Sequence, residues 1–349
     1  MGTDAAPRVE IEGARAAVRE SDLDVVLVGD EARVRALLGA SEPRIEIRHA
    51  AEAILPGDPP AIAVKQKKGS SMRVCFDLVK AGDADAVVSA GNSGAMMACG
   101  LFVLGRLAAI ERPAILTSFP TRRGQCAVLD VGANVEPRPS VLAQFGVMGS
   151  VYARLRNRRE RPSVGLLSNG AEEHKGTALT REAHRLLGRA GQDGRAAEFD
   201  YVGYVEGRDI FHGAVDVAVT DGFTGNVLLK SGEGIAEMVL EMVREEVARG
   251  GPLEKLGAML MRPALRRFRQ RTDYAETGAA PLVGVEGVVL ICHGGSDARA
   301  MKNAILAARD FARADLRQEL ARAAAAHAYL WQDEAPGADA AGAAGGRPS

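Results

Sequence analysis

The sequence predicts an α/β protein built on a mostly parallel sheet. Short apolar runs alternate with longer stretches of helical periodicity, and several runs are apolar at every position, the composition of strands covered by helices on both faces. Such an alternation folds through right-handed crossovers. The 40 glycines, against only 4% aromatic residues, supply the tight turns of such a sheet.

In chain order, the strand readings are 24–29 (DVVLVG), 85–91 (DAVVSAG), 114–119 (AILTSF), 125–132 (QCAVLDVG), 163–170 (SVGLLSNG), 200–207 (DYVGYVEG), 215–222 (VDVAVTDG) and 287–295 (GVVLICHGG). Valine, isoleucine and leucine fill them, and most end in Gly, Asn or Asp, which punctuate strands. Helical periodicity runs through 62–80, 94–107, 140–156, 179–189, 224–249 and 297–324. Residues 253–272 (LEKLGAMLMRPALRRFRQRT) break the alternation. Their apolar Leu253, Leu256, Met259, Leu260, Leu265 and Phe268 face a basic set of Arg262, Arg266, Arg267, Arg269 and Arg271, and Pro263 is expected to split them into two short helices. A basic amphipathic hairpin of this kind suits an anionic membrane surface or a protein partner, as well as ordinary packing. Residues 1–335 read as one large α/β domain, and the Ala/Gly-rich stretch 336–349 as a disordered tail.

Composition excludes several classes. Lysine and arginine total 44 against 45 acids, for a net charge of -1, so no global field drives nucleic-acid binding. Cys75, Cys99, Cys126 and Cys292 are too scattered for a zinc site or a disulfide framework, which fits a reducing cytosol. The longest apolar run stops at Arg106, short of a membrane span, and the N-terminus lacks the features of a secretory signal.

The chemistry is expected in the turns after the strands. These are Ala90-Gly91-Asn92-Ser93-Gly94, Gly132-Ala133-Asn134, Ser168 through Gly176, Thr220 through Asn226, and His293-Gly294-Gly295-Ser296-Asp297. In a parallel sheet they would gather at one edge, beyond the carboxyl ends of the strands. Glycine lets backbone N–H groups approach an anion, and a helix starting there adds its positive end. Ser93, Thr224 and Ser296 stand where helix caps are expected. With Asn92, Asn134, Asn169, Asp221, Asn226 and His293, the set reads as an anion or carbonyl site without a metal or cofactor. No G-x-G-x-x-G or G-x-S-x-G motif is present. Gly170 through Thr177 has Lys175 and Gly176 in the wrong order for a P-loop. Lys65, Lys67 and Lys68, before Gly69-Ser70-Ser71-Met72, form a basic cluster suited to an acidic or phosphorylated partner.

These residues carry a resemblance. Lys67 through Met72, VVSAGNSGA (87–95), LDVGANVE (129–136), QFGVMGSVYA (144–153), EEHKG (172–176), GYVEGRDIF (203–211), VTDGFTGNVLLK (219–230) and HGGSDARAMKNAI (293–305) together resemble the bacterial phosphate acyltransferases of the PlsX family. The resemblance spans residues 1 to about 310. It implies a Rossmann-like three-layer α/β/α sandwich, related to phosphotransacetylases and isocitrate dehydrogenase-like folds. It also implies transfer of a fatty acyl group from acyl-carrier protein to inorganic phosphate, which feeds phospholipid synthesis. A homodimer on the cytoplasmic membrane face, with 253–272 as the membrane-contacting hairpin and a glycerol-3-phosphate acyltransferase downstream, is implied as well.

The chain departs from the family at two places. Met1-Gly2-Thr3-Asp4-Ala5-Ala6-Pro7 replaces a Met-Gly-Gly-Asp-His-Ala-Pro turn, with an altered Thr3 and an altered histidine position. The family has an apolar strand before this turn; a misassigned start codon or a divergent protein would each account for its absence from this sequence, and a protein truly lacking it is expected to have a gap in the sheet with unpaired backbone beside it. Ser168-Asn169-Gly170-Ala171 also differs from the family's Asn-Ile-Gly-Glu type of sequence.

The expected chemistry is direct attack of phosphate on a thioester. Phosphate would bind Asn92, Ser93 and Gly94, with Lys67, Lys68, Ser70 and Ser71 also on the substrate side. Lys175 would stabilise phosphate or the oxyanion; Asn134, Asp221 and Asn226 would orient groups; His293 would serve the carbonyl or the leaving sulfur. Competing readings are a dehydrogenase on a similar fold and an inactive, regulatory, membrane-associated homologue.

Overall fold

A computed structural model describes residues 2–3, 6–39, 42–192, 197–272 and 278–332, and side chains outside 265–272. The disordered-tail reading therefore lies outside the described residues, as do the side chains of Leu265, Phe268 and four of the arginines of the basic set. Ten strands and twelve α-helices are described. A two-stranded parallel sheet pairs β1 (Val25–Gly29) with β2 (Ile45–His49). Eight further strands form one mixed sheet. They are β3 (Ala86–Ser89), β4 (Ala114–Thr121), β5 (Gly124–Leu129), β6 (Ser163–Leu167), β7 (Asp200–Val205), β8 (Val217–Val219), β9 (Ala280–Val283) and β10 (Val288–Ile291). Their order is β3-β10-β9-β4-β5-β8-β6-β7.

The sheet is mostly parallel, as expected, but it corrects the expectation that the polar turns all gather at one edge. β3 and β10 run parallel, and so do β5, β8, β6 and β7, but the pairs β10/β9, β9/β4 and β4/β5 are antiparallel. The short Arg122-Arg123 connection makes β4 and β5 a hairpin, where the alternation predicted a crossover. Following the pairings across the sheet, β3 and β10 point one way and the β5-β8-β6-β7 block points the other. The turns after β3 and β10 and those after β5, β6 and β8 consequently leave opposite edges.

Helices cover both faces. Helix α6 (Pro139–Asn157), buried from Ser140 to Ala153, packs on β5, β6 and β8, and Gly149 admits the close approach of Val217 and Leu129. It anchors the largest core cluster, with Leu129, Phe145, Met148, Leu166 and Val219. Farther along the same cluster, where Phe311 of α11 (Ala298–Arg313) meets Tyr152 of α6, α1 (Arg8–Glu20) lies against α11, with Gly13 directly on Met301.

Two predicted helices are broken. The 62–80 stretch divides into α3 (Pro60–Gln66) and α4 (Ser71–Ala81) because Ser70 caps α4, accepting from Arg73 N. The 297–324 stretch divides at Asp315, which caps α12 (Leu316–Ala326) from a left-handed conformation. Conversely, α10 (Pro252–Thr272) runs through Pro263 unbroken. The surface around Pro263 is exposed, so the carbonyl that proline strands can turn to water. The helical pair is therefore α10 with the long α9 (Gly222–Arg249), joined at Gly250-Gly251, rather than two halves of 253–272.

A charged network ties α6 to α12. Glu198 accepts from both Arg154 and Arg322, and Glu319 bridges the same two arginines. Hydrogen bonds from Arg322 first, and from Arg154, pull the Glu198 carboxyl down to about 2. Its contribution to stability is present above the ordinary value of 4.5 and is lost as the pH falls toward about 2. Glu198→Gln should flatten the acid limb of stability in that window, as read by circular dichroism during acid titration; an unchanged limb would remove the network from the acid response.

Candidate functional site

The predicted site residues fall into two groups, one at each edge of the sheet. At the first edge, Cys292 N donates to Ser89 O, so the turns after β3 and β10 are neighbours. Asn92 rather than Ser93 caps α5 (Ser93–Cys99), accepting from Ala95 N at 3.0 Å. Its amide donates to Leu55, Pro56 and Asp58 carbonyls, so Asn92 fixes the loop 55–58. Gly94 lies against Pro60. Lys67 is committed to Asp58 and to Ala53 O, while Lys68 is exposed. Ser70 and Ser71 are buried, Ser70 as the cap and Ser71 with its N–H on Glu52 O. His293 is exposed; its Nδ1 accepts from Gly295 N. Asp297 rather than Ser296 caps α11.

At the second edge stand Asn134, Asp221, Asn226 and Lys175. The turns after β5 and β8 are stitched together: Gly222 N donates to Asn134 O at 2.7 Å, and Asp130 N to Thr220 O. Asp221 rather than Thr224 caps α9, accepting from Thr224 N and from Thr224 Oγ1, both at 2.8 Å. Asn134 donates its amide to Pro113 O and to Asp130. Asn169 folds the turn after β6 by accepting from Gly176 N. Strand β6 pairs directly with β8, so this turn leaves the sheet beside the start of α9. Lys175 is half-buried and Asn226 exposed, and among the described residues no ion pair holds the Lys175 ammonium. The second edge therefore joins a cation and an amide to the N-terminal end of a 28-residue helix.

Asp130 escaped the sequence reading. It is fully buried and accepts from Ile115 N, Gly132 N, Ala133 N, Asn134 N and Asn134 Nδ2. Burial pushes its carboxyl above the ordinary value of 3.8, against the pull of these donors. The signal was an Asp at the end of an apolar strand followed at once by a glycine turn. Glycine is required around it. A Cβ at Gly222 would lie 2.6 Å from Asn134 O and 2.8 Å from Asp130 Oδ2, and one at Gly225 would collide with Asp130 O. The four cysteines offer no nucleophile. Burial pushes the thiols of Cys99, Cys126 and Cys292 up to about 12 and that of Cys75 to about 11.

Comparison with known proteins decides the family. A family model described as "Fatty acid synthesis protein" matches residues 1–319. The chain is 52% identical over 324 residues to a phosphate acyltransferase of Geobacter sulfurreducens, covering 92% of this chain and 91% of that one. A phosphate acyltransferase of Geotalea daltonii is 51% identical over 323 residues, with the same coverage. The chain belongs to the phosphate acyltransferase family. This family member also shares its fold with more distant proteins. A phosphotransacetylase from Streptococcus pyogenes superposes with a TM-score of 0.54 at 17% identity, covering 92% of this chain and 91% of that one. A branched-chain phosphotransacylase from Enterococcus faecalis gives 0.54 at 11%, covering 89% and 97%. The Rossmann-like α/β/α expectation agrees with this likeness.

Asp130→Asn tests the buried carboxylate. Its new amide would present N–H groups to the N–H donors of Ile115, Gly132, Ala133 or Asn134, leaving buried donors unpaired. Stability should fall by about 1–3 kcal/mol in urea titrations; an unchanged midpoint would show that the carboxylate does not hold the turn.

Proposed function

We propose that this chain transfers a fatty acyl group from the thioester of acyl-carrier protein to inorganic phosphate. The observation that carries the reading is its likeness to phosphate acyltransferases over nine-tenths of the chain. The second edge supports it chemically. A phosphate oxygen attacks the thioester carbonyl, the C–S bond breaks, and acyl phosphate leaves with the carrier thiol. Phosphate is already an anionic nucleophile, so positioning and charge stabilisation suffice. In this reading Lys175 and Asn226, beside the positive end of α9, meet phosphate or the developing oxyanion. Asn134 and Asp221 are positioning residues, since their polar atoms are spent on the turns. The first-edge residues Asn92, Ser93, Gly94, Lys67, Lys68, Ser70, Ser71 and His293 do not share that edge, so we assign them to the carrier and the 52–58 loop rather than to the reacting carbonyl. We read residues 1–335 as one unit.

The partners follow from surface chemistry. Among the described residues no helix is long and apolar enough to cross a membrane. Helices α9 and α10 nevertheless expose Ile235, Met238, Met242, Leu253, Met259 and Leu260, Leu253 at 84%. Apolar side chains exposed along this helical pair, together with the basic sequence of α10, suit peripheral contact with an anionic cytoplasmic membrane face, where acyl phosphate would pass to a glycerol-3-phosphate acyltransferase, and a homodimer would present them twice. The acidic carrier would dock on basic surface. Lys67 is ion-paired and Lys65 lies over the Phe102 ring, which leaves Lys68 the most available lysine of that cluster.

Lys175→Ala should lower phosphate-dependent release of the carrier thiol by roughly 10²–10³; near-normal turnover would remove Lys175 from the chemistry. Leu253→Glu combined with Leu260→Glu should abolish most cosedimentation with phosphatidylglycerol vesicles while leaving turnover on soluble acyl-carrier protein intact. Retained sedimentation would place the membrane contact elsewhere.

A further inference from the structure

The first turns of α9 have two unlike faces. The inner line seats on the sheet. Gly222 lies on Asn134 O, Gly225 on Asp130 O and Gly232 on the Phe119 ring, while Leu228 and Leu229 pack against the cluster of Phe119, Val128 and Ala218. The outer line carries Phe223 at 62% exposure, Val227 at 50% and Met238 at 52%. Residues 223, 227, 231, 234 and 238 follow one another at spacings of three or four, so they form one stripe along the helix. Ser231 and Gly234 lie in its middle, and a Cβ at Gly234 would meet nothing within 4 Å. The stripe is therefore a shallow trough with apolar ends and a floor of small residues. Lys230, at its margin, turns aside to Glu233 at 2.8 Å.

We propose that this trough carries the alkyl chain of the acyl substrate and that its length sets the chain preference. It rests on the acyl-transfer reading, which puts the thioester carbonyl beside Lys175, Asn226 and the first N–H groups of α9. The alkyl chain attached to that carbonyl must leave across a neighbouring surface. The turn after β6 exposes Glu172, Glu173 and His174, and the turn after β5 runs past exposed Val135 to exposed Glu136 and Arg138. Charged groups covered by an alkyl chain lose hydration at a cost. The outer stripe of α9 instead begins with Phe223 and Val227, which flank Asn226 in the sequence and expose apolar surface. An alkyl chain laid there removes apolar area of both partners from water.

The dimensions agree. Val227 and Met238 are three helical turns apart, roughly 16 Å. A long acyl chain spans one leaflet of a bilayer core, about 15 Å. At Met238 the trough meets the apolar side chains assigned above to membrane contact. Acyl phosphate formed at the start of α9 would thus have an apolar path toward the bilayer.

The test measures kcat/KM for phosphate-dependent release of the carrier thiol from butyryl-, octanoyl- and palmitoyl-acyl-carrier protein. Phe223→Ser combined with Val227→Ser should lower the palmitoyl-to-butyryl ratio about tenfold or more. Gly234→Trp fills the middle of the trough and should lower the palmitoyl-to-octanoyl ratio by a similar factor, because only the longer chain reaches it. A second arm uses the unaltered chain, so it stands whether or not the variants fold. Without phosphate the thioester persists, and palmitoyl carrier should then slow amide exchange over 222–238 relative to carrier with a free thiol. Unchanged ratios in variants that keep their circular dichroism and Tm would overturn the proposal, as would equal exchange with both carriers. Variants that alter only the concentration dependence of light scattering would also overturn it and assign the stripe to a second copy of this chain. No thiol release from any carrier by the unaltered chain would instead remove the acyl-transfer reading itself.

Discussion

The site depends on one buried carboxylate. Asp130 follows the last residue of β5, has no contact with solvent, and gathers donors from β4, from the turn 132–134 and from the Asn134 side chain. A charge in that position would be costly without them, and the donors would be costly without it. The result is a turn with one conformation. Asn134 then accepts from Gly222, and the first turn of α9 seats directly on Asp130, with glycine at 222 and 225 because any side chain would collide. A helix that carries an exposed apolar arm at its far end is thus pinned at its near end to the sheet edge where Lys175 and Asn226 stand.

The reversal of the sheet has the second largest consequence. A purely parallel sheet would have brought all the polar turns together. Here β9 and β4 run between two parallel blocks and turn one against the other. The two sets of turns are consequently separated. At the first edge polar side chains are mostly occupied in holding loops, as Asn92 holds 55–58 and Lys67 holds Asp58. At the second edge a lysine and an asparagine stand beside a helix start. Which groups are spent on the fold and which are left over is a physical criterion for function, because a buried or paired donor has little to gain from a ligand.

The buried thiols point the same way. Desolvation raises all four thiols, so none is a ready thiolate, which agrees with the direct attack by phosphate proposed above.

Much of this was legible from the residues alone, and the division follows the range of the forces involved. Local signals were read correctly where they are strong. The Val/Ile-rich strands, the polar glycine turns after them, and the long helix after residue 222 depend on near neighbours in the chain. Weaker local signals were missed: β2, with its alternating charges, and β9, four residues containing Pro281. Caps were misplaced by one to three residues because Asn92, Asp221 and Asp297 outcompete Ser93, Thr224 and Ser296 for the same backbone N–H groups. Motif resemblance identified the family, since eight short segments in a fixed order rarely coincide by chance. Strand direction was decided only by tertiary structure. It depends on which edges pair across more than a hundred residues, as β9 and β10 insert between β3 and β4, and no local preference encodes that pairing. The burial of Asp130 was settled at the same level, because it is a property of what surrounds a residue in space.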